Sequence, residues 1–109
     1  MANIYRNAKV DFTTTDNTTV YTSPSNSRAI VKSILVSDDS GSGDSINVTL
    51  TDASAAVFSL FKTKTIGANA TTELITQPIV LQESEILKAQ ATTAGRLHMV
   101  VSLLEINRD

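Results

Sequence analysis

Three groups of residues have the types and spacing to do chemistry. The first is the run Asp38-Asp39-Ser40-Gly41-Ser42-Gly43-Asp44, an acidic cluster set among glycines. Hard cations such as calcium take several oxygens at short range, and an Asp-rich glycine loop can supply them. The spacing is not that of an EF-hand, because acids are missing at the alternate positions and no Glu closes the loop at the twelfth. Asp, Gly and Ser are also what a solvated hairpin connection uses, and that plainer reading is adopted. The second is His98, the single histidine. A hydrolase triad needs a Ser and an acid beside it. With 12 Ser and 11 acidic residues such partners arise by chance, so their presence decides nothing. No Gly-x-Ser-x-Gly elbow occurs, and Gly41-Ser42-Gly43 has the wrong spacing for one. His98 is therefore expected to face outward or to sit in a subunit interface.

The third group is the scattered bases Arg6, Lys9, Arg28, Lys32, Lys62 and Lys64. Nucleic-acid binding wants more positive charge and aromatic platforms. The formal net charge is −2, and the five aromatics (Tyr5, Phe12, Tyr21, Phe58, Phe61) are not spaced as a platform. Lys62-Thr63-Lys64 suits the protection of an edge strand. The same shortage of aromatics, with no Trp, weakens a sugar-binding reading. Without Cys there is no disulfide, thiolate zinc site or Cys nucleophile. One His excludes the usual multi-His metal centre, and no phosphate-cradling glycine motif is present. No catalytic, cofactor-binding or metal-binding residue is assigned, no cofactor is expected, and the chain is read as a non-enzyme. No apolar run reaches the length of a membrane span. Met1 to Arg6 lacks a basic segment followed by an apolar one, so no secretory signal is expected, and Gly is absent from position 2. Asn17-Thr18-Thr19, Asn47-Val48-Thr49 and Asn69-Ala70-Thr71 are chance sequons in a Thr-rich chain.

The elements that must position these residues follow period two. Ile4, Ala8, Val10 and Phe12 share one parity, with Arg6 the exception, and the other parity is mostly polar. Thr18 to Thr22 is a short β-branched run, ended by Ser23-Pro24-Ser25-Asn26-Ser27. Arg28 to Ser37 has apolar residues on both parities, which predicts that both faces are covered or that one meets another subunit. Ile46, Val48 and Leu50 alternate with polar neighbours, and Ala56 to Phe61 is read as strand. Thr71 to Thr76 and Pro78 to Gln82 are short extended pieces, with Pro78 at an edge or bend. Ile86 to Thr92 alternates weakly. Arg96 to Ile106 is the longest strand, with Leu97, Met99, Val101 and Leu103 on one side and His98, Val100, Leu104 and Ile106 on the other. About eight strands with regular turn signals predict one all-β sandwich over residues 1–109, jelly-roll-like or immunoglobulin-like. Residues 1–13 form an N-terminal strand or arm that could contact a neighbour. The 27 Ser and Thr among 109 residues then supply a surface with little charge.

Several segments carry a family likeness. They are Val20-Tyr21-Thr22-Ser23-Pro24, Arg28 to Ser37 with its Gly/Ser/Asp loop, Ile46 to Asp52, Pro78-Ile79-Val80-Leu81, Glu85 to Ala91 and His98 to Ile106. Over about positions 18 to 106 this texture resembles small β-sandwich virion proteins of tailed bacteriophages, marine and cyanobacterial types especially. The resemblance implies a non-enzymatic structural protein, assembled in the host cytoplasm into the virion. A capsid decoration (cement) protein, bound to the major capsid protein as a homo-oligomer with a trimer favoured, fits best. A head–tail neck, tail or fibre component, including a glycan-binding module, is the alternative. Neither nucleic acid nor membrane is an expected partner. The candidate interface residues are Ile4, Tyr5, Val10, Phe12 and His98.

Overall fold

The alternating apolar pattern becomes nine strands in a computed structural model that describes residues 2–108, so that Met1 and Asp109 of the expected 1–109 domain lie outside the described residues. The strands are β1 (Ala2–Asp11), β2 (Thr18–Thr22), β3 (Ser27–Asp38), β4 (Asp44–Thr51), β5 (Val57–Ile66), β6 (Thr71–Glu73), β7 (Ile79–Leu81), β8 (Ile86–Ala91) and β9 (Leu97–Asn107). They form two antiparallel sheets. The first has the order β1-β9-β3-β6, with β7 also on β3, and the second has the order β2-β8-β4-β5.

β6 and β7 lie end to end along one edge of β3, opposite Leu35–Ser37 and Ala29–Val31 respectively. Between them Leu74 and Ile75 turn into the core, and Pro78 lacks the N–H that a continuous strand would donate. Taken as one interrupted strand, they leave eight strands in two four-stranded sheets, the chain changing sheet at every connection except β4–β5, which is a jelly roll. An immunoglobulin sandwich keeps its first two strands in one sheet. Here β1 and β2 are in different sheets, so that topology is excluded.

The core lies between the sheets. From the first sheet it takes Val31, Ile34 and Val36 of β3 and Leu97, Met99, Val101 and Leu103 of β9. Ile46 and Val48 of β4 and Leu87 of β8 meet them from the second. Each such side chain contributes roughly 1.5–3 kcal/mol by leaving water. Phe12 follows β1, is 2% exposed, and closes one end of this layer.

The two-parity pattern of β3 has a local cause. Val31 pairs with Leu103, and Ser33 pairs with the next residue, Ser102, so Lys32 is an extra residue on β3. Such a bulge switches which parity faces inward. Ala29 and Val31 before it, and Ile34 and Val36 after it, are all fully buried on one face. Most of the mixed pattern therefore serves a single core. Only Ile30 and Leu35 remain as apolar residues on the outer face of β3.

Candidate interaction face

Strand pairing sets outward side chains in rows across the first sheet. Tyr5 of β1 pairs with Leu104 of β9, Leu104 with Ile30 of β3, and Ile30 with Val80 of β7. This row is apolar across four strands. Tyr5 is 75% exposed and Val80 54%. A second row runs Lys9, Val100, Leu35 and Glu73, separated from the first by the polar row Asn7, Ser102 and Ser33. Val100 and Leu35 are exposed in its centre. Lys32, pushed out by the bulge, holds its ammonium 5.7 Å from the centre of the Tyr5 ring, a cation–π contact. The outer face of the second sheet is polar across its central strands, where Asn47 pairs with Gln90 and Thr49 with Lys88, while Val57 and Phe58 on its edge strand β5 are exposed.

The two ends of the apolar face are charged. At one end His98 Nε2 lies 3.2 Å from Asp11 Oδ1, and Ser37 pairs with His98 from the other side. Asp, His and Ser thus share one row, but the ring nitrogen points to the carboxylate and no hydrogen bond joins Ser37 to the ring. The row also lies on an open sheet surface. At the other end Glu83 pairs with Arg28 at 3.3 Å and with Arg108 at 3.4 Å. Its carboxyl is held below the usual range by its own backbone N–H and then by the two guanidiniums, against the opposing effect of desolvation. With Asn26 and Ile106 these residues line a cavity of about 260 Å³. Glu83 balances much of the positive charge there.

The candidate interface residues separate by parity. Tyr5 and His98 stand on the outer face. Ile4 and Val10 are half-buried on the inward side of β1. Phe12 is a core residue with no surface to offer a partner. The 2–11 segment is no free arm, since β1 pairs along its whole length with β9. Its outer edge has no strand partner, which leaves a row of backbone groups to solvent. The outward residues Ile30, Leu35, Val80, Val100 and Leu104 were not candidates. The excess of apolar residues on β3 and β9 was the signal that pointed toward them.

The Asp38–Asp44 loop is built around one carboxylate. Asp38 is 5% exposed. Its oxygens accept from Ser40 N and Oγ at 3.0 and 2.6 Å, from Gly43 N at 2.8 Å and from Asn69 N at 3.0 Å. The Ser40 hydroxyl foremost, then the three backbone N–H groups, holds its carboxyl well below the usual range although burial opposes this. Among the described residues no group of three or more His, Asp or Glu is placed to hold a metal ion. No helix among them is long and apolar enough to cross a membrane.

A second buried carboxylate, Glu105, accepts from Tyr21 Oη at 2.5 Å and meets Arg6 Nε at 3.3 Å. This explains Arg6, the polar exception on the inward parity of β1. The fold and its surface define an all-β jelly roll whose first sheet carries an apolar row across its outer face and whose second sheet is polar across its central strands. No protein-family model matches the chain, and no curated protein matches it in sequence.

Proposed function

We propose that the chain is a non-enzymatic virion structural protein of a tailed bacteriophage, a capsid decoration protein that binds the head shell as a homo-oligomer. The observation that carries this reading is the contrast between the two outer faces. The row Tyr5–Leu104–Ile30–Val80 is apolar on one side, where the other side presents Asn47, Thr49, Lys88 and Gln90. Exposed apolar patches of this kind mark interaction surfaces. The resemblance of residues 18 to 106 to small phage virion proteins supplies the setting, and jelly rolls recur in viral capsids. The fold alone would not assign a function.

A glycan-binding module would have its candidate site in the Asp38–Asp44 loop. There the Asp38 carboxylate is engaged by four donors within the protein, which favours the shell-binding reading. The test is fractionation of particles by density gradient, followed by mass spectrometry of empty heads, tails and soluble lysate. The chain is expected with the heads. Recovery with tails moves the assignment to a neck, tail or fibre part, and recovery only as free protein in the lysate overturns it.

A further inference from the structure

We infer that the outer face of the β1-β9-β3-β6 sheet docks against the same face of a second copy of this chain, about a two-fold axis parallel to the strands. This goes beyond the virion reading and does not depend on it: it assigns the apolar face to the contact between copies, so that a shell would meet another surface of the dimer. The argument rests on the order of residues within the rows. A two-fold axis along the strands, midway between β9 and β3, lays each row on its own reverse. The row Tyr5, Leu104, Ile30, Val80 then sets Tyr5 over Val80 and Leu104 over Ile30 of the other copy. The facing pairs in it are apolar on apolar, with the Lys32 ammonium lying over the Tyr5 ring at the row's edge.

The row Lys9, Val100, Leu35, Glu73 is reversed in the same way. Val100 meets Leu35, and Lys9 meets Glu73 at both edges. This row brings no like charges together, and Lys32, which lies beside the axis, turns its ammonium away over the Tyr5 ring. Glu73 already accepts from Ser33 Oγ at 2.5 Å and Ile34 N at 2.8 Å. A carboxylate has about four acceptor positions, so it can still take a lysine. Isologous pairing requires one patch to be complementary to itself, and this palindrome of apolar residues with sign reversal at its edges meets that requirement. A three-fold ring instead joins two different patches and leaves the palindrome unused.

The size is adequate. β9 has 11 residues. At about 3.3 Å per residue and 4.8 Å per strand, β1, β9 and β3 with the short pieces β6 and β7 present a footprint of roughly 500–600 Å². Stable interfaces begin near 600 Å² per partner. Two right-twisted sheets stack with their strands nearly aligned, as this axis requires.

The chain has no cysteine, so single cysteines report contacts cleanly. Tyr5→Cys and Val80→Cys are prepared separately, both at exposed positions, and each is checked for the parent circular dichroism spectrum. They are then mixed and treated with a short thiol-reactive bismaleimide spanning about 8 Å, because residues facing each other across stacked sheets lie about 10 Å apart at Cα and a disulfide is too short to join them. The inferred dimer places residue 5 of one copy over residue 80 of the other, so the mixture yields a covalent dimer. Each variant alone does not, because equivalent positions lie about three strand spacings, roughly 14 Å, apart along the sheet as well as across the interface, beyond the reach of that reagent. The parent protein is expected to show twice the chain mass by light scattering. A mass of one or three chains, cross-linking within either variant alone, or no cross-link in the mixture would overturn the inference.

Discussion

Tyr21 on β2 donates a hydrogen bond to Glu105 on β9 at 2.5 Å, and that bond ties the two sheets together near one end of the sandwich. Glu105 is 4% exposed and faces Arg6 on its other side at 3.3 Å. Removing the hydroxyl leaves a buried carboxylate with one fewer donor. Tyr21→Phe is expected to lower stability by about 1–3 kcal/mol. Urea unfolding followed by circular dichroism checks it, and an unchanged midpoint would show that water replaces the phenol.

The same pair predicts an alkaline limb. Burial first, and the hydrogen bond to Glu105 second, push the Tyr21 phenol above its ordinary value of 10. A group whose folded pKa is raised stabilises the fold below the unfolded pKa and loses that contribution as pH rises beyond it. The stability gap between the parent and Tyr21→Phe is expected to be constant near neutrality and to shrink above about pH 10. Paired urea titrations at several alkaline pH values test this, and a gap that widens there refutes it.

Asp38 has the opposite sign. Its carboxyl lies below the ordinary 3.8, held there by Ser40, Gly43 and Asn69. A depressed carboxyl contributes stability above its unfolded pKa and loses it as pH falls through and below that value. Asp38→Asn keeps the shape but removes the charge that the N–H groups point at. The variant is expected to melt well below the parent at neutral pH, with the two curves converging toward about pH 2. Asp39→Asn, at an exposed neighbour, is expected to melt with the parent.

Phe12 separates two roles that one alternating pattern cannot distinguish. An interface residue would tolerate truncation in the isolated protein. Phe12 is 2% exposed, so Phe12→Ala leaves a cavity and is expected to cost about 3–5 kcal/mol in the isolated chain. Thermal unfolding measured at several protein concentrations decides between them. A loss that appears only where the parent associates would return Phe12 to an interface role.

Most of the architecture is legible in the alternation itself. Leu97, Met99, Val101 and Leu103 share one parity and are all core residues. The jelly-roll order is not legible, because it depends on pairings such as β1 with β9 that join residues almost a whole chain apart. β3 resisted parity reading because Lys32 is an inserted residue, and a bulge has no compositional mark of its own. The role of Asp38 was hidden for a related reason: its partners Gly43 and Asn69 donate backbone N–H groups, which any residue type could provide. Tyr5 and His98 were visible as outward candidates. Their neighbours Leu104, Ile30 and Val80 become one surface only when the strands are placed side by side.

Thr63 on edge strand β5 adopts φ 52°, a left-handed conformation that a β-branched residue rarely takes. It lies where β5 slips register against β4, and its N–H donates to Asn47 Oδ1 at 2.6 Å. The side chain of Asn47 thus holds the irregularity in place. The left-handed conformation costs a residue with Cβ about 1–2 kcal/mol. Glycine avoids that cost but loses about 0.5–1 kcal/mol through the greater freedom of the unfolded chain. The strain is the larger effect, so Thr63→Gly is expected to raise stability by up to about 1 kcal/mol. Asn47→Ala takes away the acceptor and is expected to lower it by about 0.5–1.5 kcal/mol. If both variants unfold at the parent's urea midpoint, the bulge is held by the β4–β5 ladder alone, and neither the strain nor the Asn47 bond contributes.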